Sequence, residues 1–441
     1  MIVMKFGGSS VANREQITKV LGIVRDRLDR RPVVVSSAHK GITDALIDAA
    51  RTAASGFEPG EAVIERQRTV AGELGCAPEL LMPLYSDIRD LLRGIRLVGE
   101  LSPRSLDHIS SFGERMSVRC IADYFTRQGL AAQAFDAWDL GLHTDDNYGR
   151  ARPVAEYAER MKAAFAEKVP PGVVPIVTGF VGKSARGVIT TLGRNGSDLS
   201  ATLVGAAIGA DEVQIWSDTD GVMSADPSIV KAAKSIPTMR FDEAAELAFF
   251  GSRVLHPATL LPAIGANISV RVLNTNRPGH PGTVIESAPE PKSSPVTSIA
   301  YKEGQTVLVI TEPRMFEQVG FLARFFEVLA RHQVVVDLVA TSEVSVSITT
   351  HDREALERSL PDLAPLGRVE VHGGKTILAV VGRHIQHTKG VGAKVLEAMS
   401  RADVNIQMHT FGMSSNNISL VIDDDAVGRA VATLHAALFE D

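Results

Sequence analysis

Through the first two-thirds of the chain, short apolar runs alternate with stretches of helical periodicity. Ile2–Phe6, Pro32–Ser37, Val173–Phe180, Glu212–Trp216 and Ile268–Leu273 are rich in β-branched residues and almost unbroken in apolar character. Strands buried on both faces have this pattern. Between them, Arg14–Arg30, Asp107–Gln128 and Val154–Lys168 place apolar residues at helical spacing. The alternation predicts an α/β fold with a mainly parallel sheet flanked by helices. Residues 62–97 carry no strand pattern and predict an inserted helical layer.

At Ala288–Pro295 the text becomes APEPKSSP, a stiff polar connector. We therefore expect one domain over 1–287 and a linker over 288–298. Beyond it the chain repeats itself. GFLARFFEVLARHQVVVDL begins at Gly320 and GVGAKVLEAMSRADVNIQM at Gly390, with Arg331 matching Arg401 and Val336 matching Ile406. Two α+β units of βαββαβ type are expected, over 299–371 and 372–441.

With 441 residues, 45% hydrophobic and 22% charged, the composition is that of a globular chain of several domains. No apolar run is long enough for a spanning helix, and the start lacks a signal-peptide pattern. A net charge of -6 gives no general attraction for nucleic acid or an anionic membrane. Two cysteines, Cys76 and Cys120, are too few for a disulfide framework or a four-cysteine zinc site. They read as buried thiols of a cytoplasmic protein.

Two glycine-rich strand-to-helix loops carry the chemistry. KFGGSS puts Lys5 at a strand end, then Gly7, Gly8 and Ser9. Glycines let backbone N–H groups approach an anion, and a helix N-terminus adds positive potential. TTLGRNGSD supplies Arg194, Ser197 and Asp198 before a helix of small residues. Either loop could be an ordinary turn, and Ser197 or Asp198 an N-cap. Together they suit a phosphate ligand with a metal. The pairs Gly182-Lys183 and Gly374-Lys375 lack the upstream glycine of a P-loop, where Val177 and Val369 stand. No dinucleotide fingerprint follows a strand. Asp218, Asp220 and Asp226 lie in an Asp/Gly loop that fails the calcium-loop pattern at Pro227, and no resident metal site is expected.

KFGGSSVA, SSAHKGITD, SFGERMS, TTLGRNGSD, IWSDTDGV and RVLHPATLLP stand in the order seen in aspartate kinases. The whole chain resembles that family, with an amino-acid-kinase fold followed by tandem ACT domains. The resemblance implies transfer of phosphate from ATP, with Mg2+, to the β-carboxylate of L-aspartate. By the same resemblance Lys5 and Asp198 are catalytic. Thr43, Glu114, Arg194 and Ser197 hold aspartate. Lys5, Gly7, Gly8, Ser9, Ser217, Asp218, Met223, Ser228, Arg253 and Val254 form the ATP side.

Several positions on that side depart from the family pattern. Ser217, Met223, Ser228 and Arg253 stand where relatives commonly have Thr, Tyr, Arg and Lys. These departures imply a repacked purine pocket. They also motivate an alternative: an amino-acid-binding regulatory protein with a weak or inactive kinase domain. GFLARFF and VDLVATSEVSV resemble the lysine-responsive branch. They imply an effector site of Met315, Gly320, Phe321, Leu322, Asp337, Ser342, Glu343 and Val344, with lysine favoured and threonine the other candidate. Assembly as a homodimer or larger homo-oligomer through the ACT domains is implied too.

Overall fold

The computed structural model describes residues 1–251, 255, 257–289, 294–315, 318–383, 385–413 and 415–440. The chain forms two compact units. The first comprises 1–222, 235–241 and 254–289; the second comprises 223–234, 242–253 and 290–441.

The strands of the first unit are β1 (Ile2–Phe6), β2 (Pro32–Ser36), β3 (Ala132–Phe135), β4 (His143–Thr144), β5 (Val174–Thr178), β6 (Val181–Ser184), β7 (Ile189–Thr191), β8 (Glu212–Ser217), β9 (Thr238–Arg240), β10 (Ser269–Asn274) and β11 (Thr283–Glu286). Eight of them make one sheet in the order β3-β5-β2-β1-β8-β10-β11-β9, while β4, β6 and β7 make a small separate sheet. Every neighbouring pair of the large sheet is parallel except β10–β11. The order turns between β1 and β8: the connection after β1 leads to β2 on one side, and β8 lies on the other. Loops leaving the carboxyl ends of two such strands open a crevice where ligands bind.

Among the described residues, this stretch of chain carries the α-helices α1 (Arg14–Arg25), α2 (Ile42–Ala54), α3 (Ala62–Glu73), α4 (Met82–Val98), α5 (Pro103–Arg127), α6 (Tyr157–Lys168), α7 (Gly196–Ile208), α8 (Phe241–Phe249), which falls almost wholly in the second unit, and α9 (Pro257–Ala266). Helices α1 to α5 cover one sheet face. Ile2, Met4, Phe6, Val34 and Ile176 from the strands share a core with Ile17, Leu46, Ile64, Ile88 and Phe112. On the other face α7 approaches so closely that a Cβ on Gly205 would lie 2.6 Å from Val213 Cγ2. The small residues of α7 are a packing requirement.

The five expected strands appear within one or two residues of their predicted limits. Helix α1 stops at Arg25, short of the expected Arg30, because the chain tightens into a 3-10 turn and Arg31 turns left-handed (φ 49°) into β2. Helix α5 begins before Asp107, capped by Ser102, whose side chain accepts from Ser105 N–H, with Pro103 at the first helical position.

The second unit is one six-stranded sheet of β12 (Ser298–Thr311), β13 (Val339–Thr341), β14 (Ser345–Thr350), β15 (Arg368–Val381), β16 (Met408–Thr410) and β17 (Asn417–Asp423), in the order β13-β14-β12-β15-β17-β16. Helices α10 (Phe321–Arg331), α11 (Arg353–Leu363), α12 (Val391–Arg401) and α13 (Val427–His435) cover it in two groups. Leu308 and Ile310 of β12 share a core with α10 and α11. Ile299, from the other end of β12, joins Leu378 and Val380 of β15 and the helices α12 and α13. The repeats therefore interlock through two long central strands. Gly320 and Gly390, matched in the sequence, both cap their helices in the left-handed region (φ 83° and 87°), which glycine alone enters without steric cost.

Segments 223–234 and 242–251 fold with this second sheet. Ser298 Oγ donates to the Met223 carbonyl at 2.7 Å, Tyr301 Oη to Asp226 Oδ2 at 2.9 Å, and Asn417 Nδ2 to Glu246 Oε2 at 2.7 Å. Thr297 Oγ1 also donates to Glu243. Ala225 and Val230 enter the core around α12 and α13.

Candidate active site

Lys5 is the penultimate residue of β1, and its ammonium meets Asp198 Oδ1 at 2.6 Å. The two side chains are only 12% and 9% exposed. Asp198 lies in the first turn of α7, not at its cap. The cap is Asn195, held left-handed (φ 56°) after Gly193 (φ 80°), so that Gly196, Ser197 and Asp198 present the helix start. Beyond Lys5 the chain turns tightly: Gly7 N–H donates to the Trp216 carbonyl at 3.3 Å and Ser10 N–H to the Gly7 carbonyl at 2.9 Å. A Cβ on Gly8 would sit 3.1 Å from the Ala38 carbonyl.

Lys5 and Asp198 line a cavity of about 470 Å³ with Thr43, Glu114, Arg194 and Ser197. Six residues singled out from four distant motifs therefore meet in one place. Thr43 lies in the first turn of α2, and Arg194 is exposed at the rim just before α7. Two helix N-termini thus bring positive potential to the cavity. Glu114 comes from the middle of α5 and is buried. One carboxyl oxygen accepts from Ala38 N–H at 3.1 Å; the other, Oε2, is buried without a hydrogen-bond partner. Burial pushes this carboxyl up to about 8, against the Ala38 and Glu114 backbone N–H groups and the Lys5 charge, which favour ionisation. The cavity thus brings the cations Lys5 and Arg194 and two helix starts together with one buried acid whose Oε2 lacks a hydrogen-bond partner.

Sequence reasoning missed Asp107, Ser110, Ser37 and Phe180, which also line the cavity. Asp107 is the informative omission. Its carboxylate accepts from Gly149 N–H at 3.0 Å, Thr191 N–H at 2.8 Å and Thr191 Oγ1 at 2.8 Å. It fixes the end of β7, and with it the loop that carries Arg194. Burial nonetheless raises its pKa, with these hydrogen bonds opposing the rise. The sequence shows only a trace of this: Asp107, Ser110 and Glu114 recur at i, i+3 and i+7 along α5, a helix that also buries Ser111 and Ser117.

Of the residues expected on the ATP side, Ser217 ends β8 beside β1, and Asp218 follows it. Ser217 Oγ is 3.1 Å from Thr219 Oγ1. Met223 and Ser228 belong to the second unit, where Ser228 N–H and Oγ both donate to Asp226 Oδ1, at 2.8 and 2.6 Å. Arg253 and Val254 lie outside the described residues. Among those described, no three His, Cys, Asp or Glu side chains group to hold a metal ion. No described helix is long and apolar enough to cross a membrane. Cys76 and Cys120 are free, buried thiols.

In the second unit, Phe321 is buried in the core around α10, Met315 packs at its edge, and Leu322 and Val344 are exposed. Ser342, Glu343 and Val344 form the turn between β13 and β14, closed by Ser345 N–H donating to Ser342 Oγ at 3.1 Å. Asp337 precedes β13 and is ion-paired to Lys302 at 2.8 Å.

The fold and the cavity define a phosphotransferase of the amino-acid-kinase class: residues 1–274 match the amino acid kinase family, and residues 378–438 match the ACT domain. Over nearly the whole length the chain is similar to named enzymes. It is 36% identical to lysine-sensitive aspartokinase 3 of Escherichia coli, with 100% of this chain and 99% of that one aligned. It is 38% identical to chloroplastic aspartokinase 3 of Arabidopsis thaliana, covering 99% and 81%. The solved structure of Escherichia coli aspartokinase III in complex with aspartate and ADP superposes with a TM-score of 0.84 at 34% identity, over 100% of both chains. The same enzyme in complex with lysine and aspartate gives 0.76 at 35% identity, over 100% and 99%. The chain belongs to the aspartokinase family. It is an ATP-using aspartate kinase.

Proposed function

We propose that the cavity at the start of α7 seats L-aspartate with its β-carboxylate toward Lys5, and that MgATP delivers its γ-phosphoryl group there from the β1–β8 crevice. A carboxylate oxygen attacks phosphorus, the bond to ADP breaks, and 4-phospho-L-aspartate and ADP result. No proton need move, because the nucleophile is already ionised. The work is positioning two anions and offsetting their charge. Lys5 stabilises the transferring phosphoryl group, and Gly7, Gly8 and Ser9 offer backbone and hydroxyl donors beside it. Asp198 fixes the Lys5 ammonium. Arg194 and the α7 start, with Ser197, take the substrate carboxylates, and Thr43 adds a hydroxyl. Glu114 Oε2 takes the ammonium. That orphaned oxygen, on a residue lining the same cavity as the Lys5–Asp198 pair, is the observation that favours a free amino acid over an N-acylated one. Mg2+ arrives with ATP as part of the substrate; one or two carboxylates suffice beside phosphate and water ligands, and Asp198 is the carboxylate at hand.

Ser217 and Asp218, with Met223, Ser228, Arg253 and Val254, complete the nucleotide side in this reading. The apolar Met223 gives a purine pocket that differs from the family pattern. We further read 1–287 as the catalytic domain, 288–298 as the linker, and 299–371 and 372–441 as the regulatory pair. An amino-acid effector, lysine before threonine, binds around Asp337, Ser342 and Glu343 with Met315, Gly320, Phe321, Leu322 and Val344. The exposed apolar side chains Leu322, Val335, Val339 and Val344 support association of these domains in a homodimer or larger assembly. Free thiols at Cys76 and Cys120 fit a reducing, cytoplasmic setting.

A coupled ADP-release assay with aspartate tests the reading. Lys5→Ala should lower turnover by roughly 10²–10³-fold, about 2.7–4 kcal/mol of barrier. N-acetyl-aspartate should be a poor substrate. Wild-type turnover in Lys5→Ala, or equal use of the acetylated substrate, would remove the mechanism.

A further inference from the structure

Asp337 has a side chain only 2% exposed, and its Oδ2 accepts from Lys302 Nζ at 2.8 Å. Among the described residues, the other basic side chain within 4 Å is His351, whose exposed imidazole Nδ1 lies 3.6 Å from Oδ2. Lys302 has a second contact: its ammonium lies 5.3 Å from the centroid of the Phe249 ring, at the end of α8, within cation–π range. Two residues on, Gly251 (φ +96°) packs so tightly on β12 that a Cβ there would meet the Tyr301 carbonyl oxygen at 2.5 Å. Tyr301 in turn holds Asp226 through its hydroxyl at 2.9 Å. The Tyr301–Lys302 step of β12 is thus attached to both 223–234 and 242–253. In the sequence 223–234 follows β8 after residues 218–222, and 242–253 runs up to the proposed ATP-side residues 253 and 254.

We propose that Lys302 couples the effector site to the nucleotide side, because Asp337 can neutralise either the Lys302 ammonium or that of an amino-acid effector, but not both. The proposal rests on the effector reading given above. One nearly buried carboxylate balances one cation; a second ammonium beside it meets Lys302 as a like charge. Effector binding therefore loosens Lys302 from Asp337. The lysine then redistributes on the Phe249 side, where α8 and Gly251 are anchored. Linkage makes the effect reciprocal: whatever weakens the Lys302–Asp337 pair must tighten the effector. Lys302 is a positioning residue, acting through segments it touches and not on substrate.

The test uses the full-length protein, with L-lysine as the probe in calorimetry and in ADP release. Lys302→Met should bind L-lysine about tenfold more tightly than wild type, while saturating L-lysine changes its own uninhibited rate and aspartate KM by less than about twofold. Lys302→Arg, which keeps the charge and the ring contact, should restore inhibition. In wild type, L-lysine should raise hydrogen exchange across residues 242–251, a readout independent of any variant's folding. Wild-type binding and inhibition in Lys302→Met, or unchanged exchange in wild type at saturation, would overturn the role of Lys302 alone. Failure of wild type to bind L-lysine would overturn the effector reading, and this proposal with it.

Discussion

Burial holds the Glu114 carboxyl up at about 8, where an exposed glutamate would titrate near 4.5. The folded protein therefore keeps a proton here that the unfolded chain gives up. Stability from this group is fully present below about pH 4.5 and drains away as pH rises toward 8 and past it. Glu114→Gln has no such dependence. Its stability relative to wild type should improve between pH 5 and pH 8.5 by at least about 1.4 kcal/mol, the equivalent of one pKa unit, measured by urea denaturation at both values. Function should move the other way. In the proposed reading the ionised form pairs with the substrate ammonium, so wild-type kcat/KM for aspartate should climb toward pH 8, while Glu114→Gln should be low and flat. A flat wild-type profile would detach Glu114 from substrate binding.

Helix α5 shows how an element places such a residue. Gly113 precedes Glu114, and a Cβ there would lie 2.7 Å from Ala38 Cβ and 3.3 Å from Thr43 Oγ1. Gly113→Ala adds helix propensity worth up to about 1 kcal/mol but forces α5 off its neighbour, an overpacking cost of about 1–3 kcal/mol. The neighbour carries Thr43, so both aspartate-side groups should shift. Aspartate KM should rise roughly tenfold, about 1.4 kcal/mol, with ATP KM nearly unchanged; a change confined to ATP would place the helix on the wrong substrate. Much of this geometry could be read in the chain beforehand. Continuous β-branched runs gave strands buried on both faces, and the two glycine loops gave the Lys5 and Asp198 ends of the cavity. Asp107 escaped because its partners, Gly149 and Thr191, are brought to it only by tertiary folding. The hairpin β6–β7 escaped because three- and four-residue strands carry too little periodicity. The interlocked repeats were hidden for a different reason: β12 and β15 each pass through two cores, and a repeat pattern cannot say which half of a long strand belongs to which.

At the scale of the whole chain, the connector at 288–298 marks a change of composition, but the packing partners of 223–234 and 242–253 lie beyond it. Ala225, Val230, Leu247 and Phe250 are buried, and the polar anchors at Ser298, Tyr301 and Asn417 are all supplied by the second unit. A protein cut after Ser287 would leave those apolar residues in water and those polar partners missing. The sheet β3-β5-β2-β1-β8-β10 needs nothing from the second unit, and its core around α1 to α5 is complete within residues 1–273. The truncated chain should therefore keep slow hydrogen exchange in β1, β2 and α5 while 223–234 and 242–251 exchange freely. It should retain aspartate binding by calorimetry but lose most ATP-dependent turnover, since the exposed stretches flank the nucleotide-side residues. Wild-type turnover and full protection of both stretches in the truncated protein would show that the catalytic half is self-sufficient. The second sheet would then be dispensable for turnover, and the hydrogen bonds that hold 223–234 and 242–251 to it would matter for stability alone.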